Sequence, residues 1–179
     1  MVNNRHAAPG GLELVRRFLN TWVIANQTHQ PEDRLPALAG NARSWSAAFG
    51  APRPRTAAER AELLQLRADL RRMLAPAAVD ASLINGWLDR IGVRPAVRAD
   101  SVVHEPEQRR LAGLILAAVI DALAAGRWDR LKACHDCQWV FYDQTRNSSR
   151  RWCGMNAEGP EGRACGSIAK VRRYRQRQQ

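Results

Sequence analysis

Cys134-His135-Asp136-Cys137, followed by Cys153 and Cys165, contains all four cysteines of the 179-residue chain. Two residues separate the first pair, and 15 (153 − 137 − 1) lie between Cys137 and Cys153. A Cys-x-x-Cys turn followed at that distance by further cysteines has metal-ligand spacing, with room for a β-hairpin between the pairs. Gln138-Trp139-Val140-Phe141-Tyr142 is aromatic and β-branched, which predicts a strand, and Arg150-Arg151-Trp152 is its expected return strand. Cys165-Gly166-Ser167 then opens a basic helix running toward the C-terminus. That places the last thiolate at a helix N-terminus, where the dipole favours negative charge. Knuckle, hairpin and ligand-bearing helix together predict a treble-clef-like finger.

Four thiolates around a tetrahedral ion leave no open coordination position. The expected cofactor is therefore one structural zinc ion held by Cys134, Cys137, Cys153 and Cys165. A module this small cannot close a sufficient core by apolar burial alone, so metal binding supplies the folding energy. His135 lies inside the knuckle, where side chains usually point outward, and His6, His29 and His104 have no companion at ligand spacing. Clustered cysteines suit a reducing compartment. The N-terminal Met1-Val2-Asn3-Asn4-Arg5-His6 lacks an apolar signal core, and no apolar run reaches the roughly 18 residues of a membrane span. A cytoplasmic protein without a membrane partner is expected.

Phe141, Asp143, Arg146-Asn147, Arg150-Arg151-Trp152-Cys153 and Met155, followed by Cys165-Gly166 and Ala169-Lys170-Val171, resemble the CGNR zinc finger of bacterial stress-induced transcription regulators. The resemblance spans roughly residues 131 to 177 and implies transcription regulation and a role in stress response. Two departures stand out. The family's Cys-Gly-Asn-Arg signature reads here Cys165-Gly166-Ser167-Ile168, and the gap between the third and fourth cysteines has grown to 11 residues (165 − 153 − 1). Within that gap, Asn156-Ala157-Glu158-Gly159-Pro160-Glu161-Gly162 reads as a turn-rich surface insertion. Far upstream, Phe18-Leu19-Asn20-Thr21 is similar to the Phe-x-Asn-Thr element of the helical ABATE domain found in front of CGNR fingers. Read by themselves, Asn20 and Thr21 are expected to be a buried polar pair tying one helix to a neighbour.

The net charge is +11, and from Arg127 to Gln179 there are 12 Lys and Arg against 5 Asp and Glu, a surplus of +7. Such a balance points to an anionic partner. On the last helix Lys170, Arg173 and Arg177 share a face, Arg172 and Arg175 flank it, and Ile168 and Val171 are expected to face inward. Arg146, Arg150 and Arg151 extend the basic strip into the hairpin. These eight residues are the candidate nucleic-acid contacts, because the guanidinium fork meets phosphate or guanine edges bidentately.

Upstream, residues 1–10 read as a disordered leader and 11–126 as a helical domain. Val15, Phe18, Leu19, Trp22 and Val23 fall on one helical face. A short helical segment is expected over 35–49, then a break at Pro52-Arg53-Pro54-Arg55. Thr56-Ala57-Ala58-Glu59 has capping-box spacing ahead of a helix that Pro76 ends, and Asp80 caps another that Gly92 closes. Residues 93–105 are expected as two short strands or an irregular connector. From Pro106 to Gly126 the apolar pattern runs almost all round, predicting the buried centre of a bundle. Arg127 to Lys132 is too short and too apolar for a free linker, so the finger, 127–179, is expected to dock on the bundle.

The chain therefore reads as mainly α, a helical domain followed by a four-cysteine finger, and as a non-enzymatic, DNA-binding transcription regulator. No paired carboxylates, Ser/His/Asp set or phosphate-cradling loop appears at a recognisable spacing. The alternatives are a zinc-folded RNA-binding or protein-interaction module, and a ligand-sensing helical domain that reports through the finger.

Overall fold

The computed structural model of the chain describes residues 7–25, 28–74, 77–156 and 162–178. In chain order the elements are α1 (Leu12–Leu19), β1 (Trp22–Ile24), β2 (Pro31–Asp33), α2 (Leu35–Gly40), α3 (Ala42–Phe49), α4 (Ala57–Arg72) and α5 (Ala81–Ile91). They are followed by β3 (Val93–Arg98), β4 (Ser101–Pro106), α6 (Leu111–Ala124), a 3₁₀ turn (Trp128–Arg130), β5 (Leu131–Ala133), β6 (Val140–Tyr142) and α7 (Cys165–Gln176). No helix among the described residues is long and apolar enough to cross a membrane.

Local chemistry sets the helix ends. Thr56 and Glu59 close a full capping box on α4, with Glu59 N–H donating to Thr56 Oγ1 at 3.1 Å and Thr56 N–H to Glu59 Oε2 at 3.2 Å. Asp80 accepts from Leu83 N–H at 3.0 Å to start α5, and Gly92, at φ +73°, ends it in a conformation that side chains rarely adopt. Asn41 caps α3 by accepting from Ser44 N–H at 2.9 Å.

α6 is the bundle's axis, as its pattern predicts. Leu111, Ile115, Leu116 and Val119 are buried along it, and α1, α4, α5 and β4 pack around it. From α1 come Leu12, Val15, Phe18 and Leu19, and Phe18 meets Phe49 edge-on at 6.4 Å between ring centroids. Each such side chain removed from water contributes about 1.5–3 kcal/mol, and this common core holds the helices together. Trp87 and Trp128 bury their rings but satisfy their N–H groups, on Asp69 Oδ2 and on the Met73 carbonyl, both at 3.0 Å.

Several expectations are corrected. Three two-stranded antiparallel sheets make the described architecture mixed α/β rather than mainly α. The first helix stops at Leu19, and Trp22 and Val23 lie instead in β1, paired with β2. The helical segment over 35–49 is two helices broken at Asn41, which adopts an extended backbone to cap the second. Of the two expectations for 93–105 the strands hold, as a regular hairpin in register from Val93↔Pro106 to Arg98↔Ser101, but Pro106 ends β4 and α6 starts only at Leu111. Of the expected leader, residues 1–6 lie outside the described residues, as does Pro76. Ala8 is buried in the core and its N–H donates to Glu13 Oε2 at 2.9 Å, so the fold begins before Gly11.

Candidate metal centre and basic helix

The knuckle is itself the turn of a hairpin. β5 and β6 pair as Leu131↔Tyr142, Lys132↔Phe141 and Ala133↔Val140, and the turn between them carries Cys134 and Cys137. Cys134 N–H donates to the Trp139 carbonyl at 2.9 Å, Gln138 N–H donates to the Cys134 carbonyl at 3.0 Å, and Gln138 takes a left-handed φ of 58° to complete the reversal. The strand over 140–142 therefore finds its partner before the knuckle. The return strand expected at Arg150-Arg151-Trp152 does not form. Leu131-Lys132-Ala133 wins because the two-residue spacing between cysteines already makes a tight turn.

Cys153 arrives from the long loop after β6, and Cys165 is the first residue of α7. All four cysteines are buried. Cys137 Sγ lies 3.6 Å from Cys153 Sγ, which is 3.7 Å from Cys165 Sγ, and all four sulfurs fall within 4.8 Å of one another. Four sulfurs held tetrahedrally about 2.3 Å from one zinc ion stand about 3.8 Å apart, whereas a disulfide requires about 2.05 Å. The cluster has the size of a four-thiolate zinc site. Hydrogen bonds from Cys137 and Cys153 hold the Cys134 thiol far below its usual range, bonds with Cys134 push Cys137 and Cys153 up, and burial pushes Cys165 up. A divalent cation resolves that conflict by accepting all four thiolates at once.

Residues 130–178 match the family described as the CGNR zinc finger. That family's pattern matches this span and leaves the helical part of the chain unassigned. No curated protein matches the chain. The four cysteines fit one structural zinc ion, and with every ligand supplied by protein the metal serves to fold the finger.

Behind the sulfurs, the finger is held by polar residues, among them Asp143 of the resembling motif, to which the sequence alone assigned no contact. Asp143 is fully buried and accepts from Lys132 Nζ at 2.9 Å, Thr145 Oγ1 at 2.6 Å, Thr145 N–H at 3.0 Å and Arg150 N–H at 2.8 Å. Burial alone would raise its carboxyl, but these donors outweigh it and hold it well below the usual carboxylate range. Asp136, inside the knuckle, accepts from Arg163 Nε at 2.7 Å and from Arg172 at 3.2 Å. It thereby ties the end of the insertion and the first turns of α7 to the Cys-x-x-Cys turn. The insertion's residues 157–161 lie outside the described residues. Ser167, at the position of the signature's Asn, donates its hydroxyl to the Met155 carbonyl at 2.6 Å. Gly166 is constrained as well, because a Cβ there would lie 3.1 Å from Met155 Cα and 3.2 Å from the Gly154 carbonyl oxygen.

The candidate nucleic-acid residues divide into two groups. Arg150 is directed into the finger: it donates to the Trp152 carbonyl at 2.8 Å and to that of Cys153, and it lies over the Phe141 ring. Arg146 and Arg151 are exposed in the loop after β6, and the Arg151 carbonyl accepts from His135 N–H in the knuckle at 3.2 Å. On α7, every described residue from Lys170 to Gln178 is exposed. That stretch carries Lys170, Arg172, Arg173, Arg175 and Arg177 with no acidic residue, so the helix projects as a cationic rod. Val171, expected to face inward, is 50% exposed, and Tyr174 is 64% exposed. The inward face ends near Ile168 because the finger is too small to cover a helix of this length.

The finger is joined tightly to the bundle. Asn20, 7% exposed, donates Nδ2 to the Val140 carbonyl at 2.8 Å and accepts from Val140 N–H at 2.7 Å, behaving like a partner strand for β6. Its neighbour Thr21 accepts from Arg67 at 2.8 Å. Arg71 reaches from α4 to the Leu19 carbonyl at 2.9 Å and the Gln138 carbonyl at 2.8 Å while stacking 4.6 Å from the Trp22 ring. Burial, then the nearby Arg67 charge, lowers the Arg71 guanidinium to about 10, which leaves it charged at neutral pH. Within β6, Val140 and Tyr142 belong to the bundle's core, while Phe141 packs among the cysteines.

Proposed function

We propose that the protein is a zinc-dependent, DNA-binding transcription regulator of the cytoplasm, without enzymatic activity, in which α7 is the principal contact to the duplex. The observation that carries this reading is the projecting helix: five basic residues and no acidic one between Lys170 and Gln178, exposed all round and anchored at Cys165 to the metal cluster. An α-helix fits the major groove of B-DNA, where phosphates flank it on both sides. Lys170, Arg173 and Arg177 on one face suit phosphate contact, and Arg146 and Arg151 add charge in the exposed loop after β6. Val171 and Tyr174, exposed on another side of the same helix, suit apolar contact with base edges such as the thymine methyl.

Zinc enters this function through the helix's foundation. Cys165 is a ligand, and Asp136 in the knuckle holds Arg172, so loss of metal removes both supports from the helix. The test is selection of genomic fragments by the zinc-loaded protein near physiological salt, beside a chelator-treated sample, because phosphate-driven affinity depends steeply on salt. Enrichment of a few defined sites that disappears with chelator supports the reading. Uniform retention or no retention sinks it and moves the search to RNA and protein partners.

A further inference from the structure

A cavity of about 640 Å³ lies between α1, the α2–α3 pair and the finger. Its volume is within the range of small-molecule sites, roughly 300–1,000 Å³. Leu38 and Phe49 from the bundle and Trp139 from the finger supply an apolar lining, and Arg16, Arg17 and Arg34 supply charge. Among the described residues of the lining Glu13 is the one carboxylate, so these residues carry a net charge of +2 (three guanidiniums less one carboxylate). Glu13 is held chiefly by Arg16, at 2.7 and 2.8 Å. The Arg17 and Arg34 side chains are more open to solvent, 52% and 37% exposed; Arg17 pairs with Glu13 at 3.3 Å and reaches across to the Ala48 carbonyl at 3.4 Å. In the same wall Asn20 bonds to Val140, and Thr21 to Arg67 and the Phe18 carbonyl.

We infer that this cavity binds a small organic anion, a carboxylate or similar acid with an aromatic or aliphatic body. The apolar body lies against Phe49, Leu38 and Trp139, and the anionic head meets Arg17 and Arg34, for which a planar acid is a bidentate partner. Arg34, which pairs with Glu32 at 2.8 Å, meets the ligand's acid group from the same wall. Trp139 gives the site a bearing on the finger, because the same side chain packs against the four-cysteine cluster. A molecule seated there touches both the helical part and the cover of the metal centre.

The test uses the zinc-loaded full chain and 1-anilinonaphthalene-8-sulfonate, whose fluorescence rises in an apolar site and whose sulfonate stands in for the acid head. Saturable binding at one probe per chain is expected, displaced by naphthalene-2-carboxylate and not by the neutral naphthalene-2-carboxamide. In Arg17→Ala/Arg34→Ala the affinity should fall at least tenfold. In Ala48→Trp, which fills the cavity from α3, binding should vanish while zinc content and circular dichroism stay unchanged. Absence of saturable binding, equal displacement by acid and amide, or an affinity untouched in the double variant would each overturn the assignment. The assay contains no nucleic acid, so its outcome stands apart from that of the fragment selection.

Discussion

Replacing Asn20 by alanine removes two hydrogen bonds that join residues 120 positions apart in the chain. Both partners are backbone groups of Val140, which is fully buried, so neither recovers a water molecule easily. An orphaned buried donor or acceptor costs about 1–3 kcal/mol. With partial relaxation of the short strand β6, the pair should cost about 2–4 kcal/mol in all. For a chain of this length about 1 kcal/mol lowers the melting temperature by roughly 2–4 °C, so a fall of roughly 5–15 °C is expected in the zinc-loaded protein. Because the bonds run from the helical part to the finger, the same variant should also release zinc to a competing chromophoric chelator at least tenfold faster. Differential scanning calorimetry and chelator transfer measure the two effects. A stability change below about 0.5 kcal/mol, the range of ordinary surface substitutions, together with an unchanged release rate, would refute the view that Asn20 fastens the finger to the bundle.

Cys134→Ser should abolish stoichiometric zinc binding, read by metal analysis of the purified protein, because structural sites draw on the order of 10 kcal/mol or more from the ion. Asp143 should make stability pH-dependent. Its folded-state pKa lies below the unfolded value near 4, so the unfolded chain binds the extra proton, and stability present above about pH 5 is lost as the pH falls. Urea midpoints from pH 7 to pH 3 should therefore drop more steeply in the wild type than in Asp143→Asn. Gly113→Ala should destabilise by about 1–3 kcal/mol in thermal melts, since the new Cβ would stand 2.6 Å from Pro106 Cβ and 3.0 Å from the Gln108 carbonyl oxygen, neither the end of a flexible side chain. Arg173→Ala/Arg177→Ala should weaken DNA binding and flatten the plot of log affinity against log salt by about 0.9 per lost phosphate contact, measured by fluorescence anisotropy.

The metal cluster was legible because its determinants are local: ligand identity and spacing suffice for a thiolate site. Capping at Thr56/Glu59 and Asp80 was legible for the same reason. The end of α1 was not, since Trp22 and Val23 continue the helical period, and only pairing with Pro31–Asp33 decides for a strand. In the finger, residue types predict a hairpin between the cysteine pairs, whereas the Cys-x-x-Cys turn itself joins β5 to β6. The salt bridge between Asp136 and Arg163, and the reach of Arg71 to the knuckle, depend on residues brought together across 27 and 67 positions of chain, which no periodicity records. Arg150 looked like its basic neighbours because composition does not say which guanidinium turns inward. Exposure of Val171 was hidden too, since a helical stripe shows which residues share a side and not how far the supporting surface extends.

β6 is only three residues long, yet its alternating side chains serve opposite rooms: Val140 and Tyr142 face the bundle, and Phe141 faces the sulfurs. A party wall of this kind cannot be moved for one tenant alone. Twisting the strand to suit a changed metal site displaces two side chains in the helical core, and repacking that core presses back on the thiolates. The finger thus differs from a bead on a string: cut away from its bundle, it would lose the surface that covers one whole side of its central strand.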